Sequence, residues 1–332
     1  MPERALSGVT APRSRKVALT PTVTVYLALV VLLVVGSVLV ALDGGVLLDQ
    51  GGILTILTRS TALGLVAIGQ TLVIVTGSLD LSVAYLVGLC SLMAAETMAG
   101  GGAMVVPGVL LTLALAAVVG LVNGLVITVL KANAFIATLG VALVLRGYLE
   151  HNYTGPAGSV PRSFQHLGYD RIGPVPVAAL LMLLVAAGAW WYLRRTRGGY
   201  HMYAVGGDVE VARLSGVRTG RTIVTAHVLC SVAAGLAGVF LAARLGSGSP
   251  YVGTDAGYDL ESIAAVVLGG TALAGGRGGV VGTVGGVLLL ATLDTVFDDL
   301  AVDPFFKDVV RGVVLVVAVA LYARRRSSRR SA

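Results

Sequence analysis

The feature that most constrains this chain is a series of long apolar stretches. Residues 23–42, 104–130, 175–193 and 309–323 are the clearest of these stretches. A helix needs about 20 mainly apolar residues to cross a hydrocarbon core that is about 30 Å thick. Charged residues make up only 12% of the chain, about half the share that soluble domains carry. The sequence therefore predicts an all-α membrane protein, a polytopic bundle of helices.

The apolar pattern predicts about ten transmembrane helices. We place them at residues 23–42, 53–76, 81–98, 104–130, 134–150, 174–193, 223–245, 261–274, 279–297 and 308–323. The stretch at 261–274 is short for a span, and the breaks on either side of 81–98 are poorly defined. Nine or eleven spans therefore remain open.

Basic residues alternate between the predicted connecting segments, and this alternation sets an orientation. Lys and Arg concentrate in the N-terminal tail, at Lys131, in residues 194–222, at Arg277 and in the C-terminal tail. The intervening segments hold only Arg162, Arg171 and Lys307. Because cytoplasmic loops carry an excess of Lys and Arg, both termini are predicted to be cytoplasmic.

The predicted organisation is one membrane domain between two short tails. It comprises a cytoplasmic N-terminal tail at 1–20, a transmembrane domain at 21–323 with a cytoplasmic loop at 194–222, and a basic cytoplasmic C-terminal tail at 324–332. The net charge of +7 does not indicate a nucleic-acid partner, because the arginines cluster at the ends of the apolar stretches. That placement favours anionic membrane lipid as a secondary partner.

Two polar or glycine-rich segments interrupt the apolar runs, one in each half of the chain. They are Thr76–Ser82 and Gly269–Gly279. Paired interruptions of this kind are typical of transporters whose broken helices line a path near the middle of the membrane. No residue-level repeat accompanies them.

The chain lacks the motifs of a nucleotide-hydrolysing or metal-dependent protein. Its lysines, Lys16, Lys131 and Lys307, lack the preceding glycine and the following Ser or Thr of a P-loop. The Gly276–Gly279 segment has the wrong spacing for a dinucleotide loop, and helix packing explains it better. We predict no catalytic site, no metal site and no cofactor bound by this chain.

Polar side chains within the predicted spans are candidates for a translocation path. They are Gln70, Asp80, Asn123, Arg146 and Glu261. A charge facing lipid at the centre of a span costs about 2.5–3.5 kcal/mol, so such residues face the interior of a bundle or a cavity. Alternatives stay open: Gln70 and Asn123 also suit interhelical hydrogen bonds, and Asp80 suits a local cap at the span break.

The segment 204–216 in the predicted cytoplasmic loop has the sequence of a short helix. Asp208 is a good N-cap, Glu210 lies in the first turn, and Gly216 can end the helix. We predict a helix at Val209–Leu214. From these residues alone, an amphipathic connector is preferred over a helix that docks on a partner.

From about Leu54 to Ala323 the chain resembles permease subunits of bacterial ABC monosaccharide importers, of the ribose, xylose and galactoside type. This group lies within the branched-chain amino-acid and sugar permease superfamily. The resemblance rests on residues 67–74 with 76–82, on 135–140 with Arg146-Gly147, on 206–216, and on 263–271 with 275–278.

The resemblance implies a type II ABC importer-like permease in the bacterial cytoplasmic membrane, working by alternating access. It implies an ATPase-coupling role for Gly206, Gly207, Asp208, Glu210, Ala212, Arg213 and Gly216. The implied partners are a cytoplasmic ABC ATPase that binds ATP and Mg²⁺, an extracytoplasmic solute-binding protein, and a second permease copy or paralogue. The implied solute is small and polar, a monosaccharide first.

Departures from the family pattern leave the solute open. Ala134 stands where a proline is common, Asp259 where a glutamate is usual, and Asp294-Thr295 where Asn-Gly is common. An autoinducer, a nucleoside or a branched-chain amino acid are alternative solutes. An ion-coupled secondary transporter would need an intramembrane relay, for which only His227 and Glu261 are candidates, with no evident partner. A membrane enzyme lacks a catalytic constellation.

Overall fold

The computed structural model describes residues 20–303, 305–307, 309–310 and 312–313. Within these residues the fold is a helical bundle with one two-stranded hairpin, which confirms the predicted fold class. The helices are α1 (Pro21–Leu42), α2 (Gln50–Val75), α3 (Val83–Met98), α4 (Val105–Val129), α5 (Ala134–Asn152), α6 (Arg162–Tyr169), α7 (Val177–Arg195), α8 (Arg197–Gly207), α9 (Val209–Leu214), α10 (Thr219–Leu245), α11 (Tyr258–Leu268) and α12 (Val280–Asp299). The strands are β1 (Arg171–Ile172) and β2 (Val175–Pro176).

The predicted spans up to residue 297 each coincide with one of these helices. Among the described residues, 7 helices are long and apolar enough to cross a membrane, and α3, with 16 residues, is a shorter apolar helix. The predicted span at 308–323, the tail at 324–332 and residues 1–19 of the other tail fall wholly or mostly outside the described residues.

The predicted span at 261–274 is only a half-helix. Its helix, α11, has 11 residues and so rises about 16 Å, roughly half the thickness of a hydrocarbon core. The preceding chain explains this length, since it packs against α3 in a non-helical conformation. A Cβ on Gly248 would lie 2.5 Å from the Cα of Leu92, and one on Gly253 would lie 2.1 Å from the carbonyl oxygen of Ala84.

The centre of the bundle is formed by α2 and α10. Every residue of α2 from 60 to 75 is buried, and α10 packs against α2, α3 and α4. Gly69 lets α2 approach α10 closely, because a Cβ there would lie 2.9 Å from the Cα of Cys230. The apolar character of α2 on all sides is thus explained by neighbours on all sides.

Glycines at four-residue spacing, which let helix backbones approach closely, lie at two further helix contacts. In α4, a Cβ on Gly120 would lie 2.6 Å from the carbonyl oxygen of His227, and one on Gly124 would lie 2.7 Å from the Cα of Val224. In α12, Gly282 and Gly286 pack in the same way against the backbone of α11 and its C-terminal end.

The outer faces of several spans carry large apolar side chains that no other described part of the chain covers. Exposed examples are Val31, Val34, Val106, Leu110, Ile136, Val144, Leu184 and Trp191. They lie on α1, α4, α5 and α7. In water such a surface would be unfavourable, and hydrocarbon or a second membrane subunit removes that cost.

The segment between α5 and α7 folds over the end of α10. Arg244 Nη1 donates a hydrogen bond of 2.9 Å to the carbonyl oxygen of Gly168, and the Tyr169 hydroxyl donates one of 2.7 Å to the carbonyl oxygen of Arg244. The Arg244 guanidinium also lies 4.7 Å from the centre of the Tyr169 ring. These contacts fix α6 on the bundle.

The loop predicted at 194–222 is mostly helical. The predicted helix at Val209–Leu214 is confirmed as α9, but an additional helix, α8, precedes it. Thr196 starts α8 because its hydroxyl accepts a hydrogen bond of 3.1 Å from the amide of Gly199. The neighbouring glycines made this helix hard to predict from propensity.

We expect Gly120→Ala to lower the stability of the bundle, because its new methyl group would overlap the backbone of α10. Overpacking of this kind costs about 1–3 kcal/mol. Gly188→Ala in α7 is the matched control, since a Cβ there meets no atom within 4 Å. Thermal unfolding in detergent should show a lower midpoint for Gly120→Ala alone. Equal midpoints for the two variants would contradict this account of the α4–α10 contact.

Candidate functional site

A fully buried polar cluster lies at the break between α2 and α3. Asp80 Oδ1 accepts hydrogen bonds from the amide of Ser82 at 3.0 Å and from the Ser82 hydroxyl at 2.6 Å. Asn123 Nδ2 donates to both carboxylate oxygens, at 3.3 and 3.2 Å, and to Ser82 Oγ at 2.9 Å. The bond to the Ser82 amide makes Asp80 a local cap, which keeps residue 80 outside the helix.

His227 completes the coordination of the Asp80 carboxylate. Its Nδ1 lies 3.3 Å from Asp80 Oδ2, and its Nε2 lies 2.9 Å from Ser78 Oγ. An ionised carboxylate only accepts hydrogen bonds, so Nδ1 is the ring nitrogen that donates. The side chains of Asp80 and His227 are both 0% exposed. A charge in such a place persists only where donors surround it.

Further contacts tie this cluster to the remaining central helices. Gln70 Nε2 donates to the carbonyl oxygen of Asp80 at 3.2 Å, and Cys230 Sγ donates to Gln70 Oε1 at 3.5 Å. Thr138 Oγ1 accepts from the amide of Leu81 at 3.2 Å. The cluster thereby connects α2, α4, α5 and α10 through one non-helical segment.

The candidate path residues thus separate into two groups. Gln70, Asp80 and Asn123 are each 0% exposed and bonded within the chain, so in this conformation they hold the helix break in place. Arg146 and Glu261 are at least partly exposed. Of the interpretations left open by the sequence, interhelical hydrogen bonding and capping describe the geometry of the first group.

No partner for His227 is evident in the sequence, but the structure places one beside it. Its partner Asp80 lies 147 positions away in the chain and on a different element. One sequence signal could have indicated the pair. Both residues are ionisable and lie in apolar surroundings, where a buried charge needs a partner.

Next to this cluster, three glycine-containing segments meet backbone against backbone. We call this contact the glycine junction: Gly77 in the first break, Gly206-Gly207 at the end of α8, and Gly275-Gly276 in the second break. The amide of Gly276 donates a hydrogen bond of 2.9 Å to the carbonyl oxygen of Val75. A Cβ on Gly275 would lie 2.7 Å from the amide nitrogen of Gly77 and 2.8 Å from the carbonyl oxygen of Gly206.

Gly206 occupies the tightest place in the glycine junction. A Cβ there would lie 1.9 Å from the carbonyl oxygen of Val75 and 2.5 Å from the amide nitrogen of Gly276. Its neighbour Gly207 is different, because a Cβ there would meet nothing within 4 Å. The two interruptions predicted from the sequence are therefore joined to each other and to the segment that precedes α9.

Tyr203 adds a side-chain contact between α8 and the second break. Its hydroxyl donates a hydrogen bond of 2.9 Å to the carbonyl oxygen of Gly278. Burial raises the pKa of the Tyr203 hydroxyl, and the nearby Arg194 opposes this shift. The hydroxyl therefore stays protonated at neutral pH and remains a donor.

The short helix α9 begins and ends as the sequence predicts. Asp208 Oδ1 accepts hydrogen bonds from the amides of Glu210 at 2.9 Å and Val211 at 3.0 Å, and Gly216 follows the helix with a φ of 83°. Ala212 is buried. Glu210 and Arg213 form an exposed ion pair at 3.2 Å, which contributes little to stability.

The exposed surface of α9 is partly apolar. Val211 is 60% exposed and Leu214 is 81% exposed. A helix of 6 residues is too short to be stable by itself, so its cap and its attachment to α8 hold it in place. These two side chains form a small apolar protrusion next to the glycine junction.

Arg146 lines a separate cleft between α3, α5 and the segment after α10. The cleft has a volume of about 220 Å³. It is lined by Tyr85, Arg146, Leu149, Glu150, Pro250, Tyr251 and Thr254. Arg146 Nε donates a hydrogen bond of 2.7 Å to Glu150 Oε1. Two tyrosines and an exposed ion pair give the cleft both aromatic surface and hydrogen-bonding groups, so it suits a small polar molecule.

Comparison with known proteins identifies a family for most of the chain. The model of the family described as "Branched-chain amino acid transport system / permease component" matches residues 52–319. The ribose import permease protein RbsC of Bacillus subtilis strain 168 is 38% identical over 300 residues, which cover 89% of this chain and 91% of that protein.

Two relatives from Escherichia coli K12 are similar over slightly shorter regions. Its RbsC, also named a ribose import permease protein, is 37% identical over 269 residues, covering 80% of this chain and 83% of that protein. Its L-arabinose transport system permease protein AraH is 34% identical over 269 residues and covers 81% of each chain. Comparison with solved structures finds no match.

We expect Asn123→Ala to destabilise the protein, because it removes the amide that donates to both oxygens of the buried Asp80 carboxylate. Loss of a hydrogen bond to a charged group costs about 1.5–3 kcal/mol. Asn152→Ala is the matched control: Asn152 is exposed, and its Nδ2 donates only to the carbonyl oxygen of Tyr148. Thermal unfolding in detergent measures both. If the two variants unfolded at the same temperature, the cluster would not be stabilising the non-helical segment between α2 and α3.

Proposed function

This chain belongs to the family of branched-chain amino acid transport system permease components, and we propose that it is the membrane-spanning subunit of an ATP-binding-cassette importer for a monosaccharide. The family and the apolar helices support a multi-pass protein of the bacterial cytoplasmic membrane. Its role is transport, and ATP hydrolysis belongs to a separate partner subunit.

A monosaccharide is the solute that the relatives favour. Two of the relatives described above are named for import of ribose and for transport of L-arabinose. A galactose and methyl galactoside import permease protein of Haemophilus influenzae is 29% identical over 319 residues. These solutes are small, neutral and rich in hydroxyl groups. The cleft around Arg146 and Glu150 has the chemistry to contact such a molecule.

The observation that carries the proposal is the glycine junction. It places the segment before α9 in direct backbone contact with both helix breaks. Backbone contacts at van der Waals distance transmit displacement, because close-packed groups cannot move independently. A displacement of α9 therefore reaches the end of α2 and the second break without an intervening flexible side chain.

We assign α9 as the element that seats in the ATPase, with the loop 194–222 and both termini in the cytoplasm. Exposed Val211 and Leu214 supply apolar surface for a groove, and Asp208 keeps the helix formed when it is not docked. Closure of two ATPase subunits would then move α9 and switch the access of the path from one side of the membrane to the other. An extracytoplasmic binding protein delivers the solute, and a second permease copy or paralogue completes the path.

We expect uptake of a labelled monosaccharide into proteoliposomes only when the chain is reconstituted with its ATPase, ATP and its binding protein. Ribose and L-arabinose are the first sugars to test, and leucine is the control solute. A non-hydrolysable ATP analogue should abolish uptake. Uptake that persists without the ATPase and collapses with an uncoupler would instead indicate an ion-coupled transporter.

We expect Gly206→Ala to uncouple ATP hydrolysis from transport, because its methyl group would force α8 away from the carbonyl oxygen of Val75. Overpacking costs about 1–3 kcal/mol, so uptake should fall roughly tenfold or more. The adjacent Gly207→Ala is the matched control, since its methyl group meets open space. ATPase activity and sugar uptake are measured in the same proteoliposomes.

The two readouts distinguish coupling from assembly. If Gly206→Ala retains ATP hydrolysis and loses uptake, the glycine junction transmits the movement. If Gly206→Ala transports as well as Gly207→Ala does, the junction has no role in coupling.

A further inference from the structure

A second cleft lies at the ends of α7 and α10 beside α8, and the proposed transport scheme assigns it no ligand. Its volume is about 370 Å³. The lining residues are Tyr192, Gly198, His201, Gly216, Arg218, Arg221, Thr222 and Thr225. None of these residues is acidic, and Arg218 and Arg221 give the cleft a positive charge.

We propose that this cleft binds a phosphate group, carried either by an anionic lipid headgroup or by a soluble phosphate. Arg218 and Arg221 provide two guanidinium groups, whose planar forks match phosphate oxygens. Neither of them, nor His201, makes a side-chain hydrogen bond or ion pair with the residues that the structure describes. Their donors are therefore available to a ligand.

Tyr192 adds a neutral donor at the wall of the cleft. Its hydroxyl faces Gly198, where a Cβ would lie 2.2 Å from the hydroxyl oxygen, so the glycine leaves room for the phenol to reach the cleft. Unlike Tyr200 and Tyr203, Tyr192 donates to no acceptor among the described residues.

The two threonine hydroxyls on the α10 side of the cleft already donate hydrogen bonds within that helix. The hydroxyls of Thr222 and Thr225 donate to the carbonyl oxygens of Arg218 and Arg221, at 3.2 and 2.8 Å. Arg218 also precedes the first residue of α10, and no side chain caps that first turn. A phosphate held by the arginines would lie near these uncapped amides, where negative charge is favoured.

The depth of the cleft favours a ligand at the membrane surface. Tyr192 lies within the span Val177–Arg195 and Thr225 within the span Thr219–Leu245, each less than two turns from the end of its helix. The cleft therefore reaches from the ends of two spans into their last turns. This is the level at which lipid headgroups lie, and basic clefts between spans bind anionic headgroups.

The chain contains its own reporter for this site. Its 2 tryptophans are Trp190 and Trp191, immediately before Tyr192. Intrinsic fluorescence of the full chain in a neutral detergent can therefore be quenched by brominated lipid that occupies the cleft. We expect saturable quenching by brominated phosphatidylglycerol at concentrations where brominated phosphatidylcholine has little effect.

Three variants distinguish binding in the cleft from a general attraction to positive surface charge. Arg218→Gln/Arg221→Gln should weaken phosphatidylglycerol binding roughly 30-fold, as two basic residues near a membrane surface contribute. Arg162→Gln/Arg171→Gln removes the same charge elsewhere and should change binding by less than about twofold. Tyr192→Phe leaves the charge intact and should weaken binding about threefold to tenfold by removing one donor.

Inorganic phosphate distinguishes the two sources of the group. If millimolar phosphate raises the unfolding temperature of the wild-type chain but not of Arg218→Gln/Arg221→Gln, and phosphatidylglycerol quenches no better than phosphatidylcholine, the ligand is a soluble phosphate. Preferential quenching by phosphatidylglycerol that phosphate does not displace assigns a lipid. If neither ligand binds, or if the two double variants lose affinity equally, the proposal is overturned. These measurements need no transport, so they do not depend on the proposed function.

Discussion

The close approach of the Gly206 backbone to the carbonyl oxygen of Val75 is the contact on which the rest of the structure depends. In a bilayer, backbone amides and carbonyls find no water, so non-helical chain is tolerated only where protein surrounds it. Two such breaks occur here, and they meet: the amide of Gly276 in the second break donates a hydrogen bond of 2.9 Å to the carbonyl oxygen of Val75 beside the first break. Side chains at these positions would separate the segments. Glycine is therefore required because the backbone segments lie so close together. It is also favoured because Gly77, Gly275 and Gly276 have positive φ angles.

The Asp80 cluster makes the break beside the junction rigid. A buried carboxylate is unfavourable unless donors surround it, and Ser82, Asn123 and His227 supply them. Removing one partner leaves the others unsatisfied, which makes such a network strongly specific for one arrangement of helices. A rigid break next to α8 can pass on a displacement that a flexible loop would absorb. In the proposed scheme, the stability of the bundle and its coupling to the ATPase thus have one structural basis.

Much of this arrangement could be predicted from the sequence, for reasons that are local. Apolar length predicts the spans, and Asp208 with Gly216 predicts the limits of α9. Long-range pairing could not be predicted: nothing in the sequence shows that His227 contacts Asp80, or that the two breaks meet. Periodicity also failed at 261–274, since an apolar stretch does not reveal that the preceding chain packs against α3 and leaves room for only a half-helix. The helix α8 was missed because glycines lower its intrinsic propensity.

The central claim is that α9 and the two helix breaks move as one unit. Spin labels at Leu214 and Leu273, both exposed, would report the distance within that unit, and a third label at Tyr169 would mark the bundle beside α6. Pulsed electron paramagnetic resonance on the complex with its ATPase, with and without ATP, measures both distances. The account predicts a constant 214–273 distance and a changed 214–169 distance. A 214–273 distance that changes while 214–169 stays constant would contradict it.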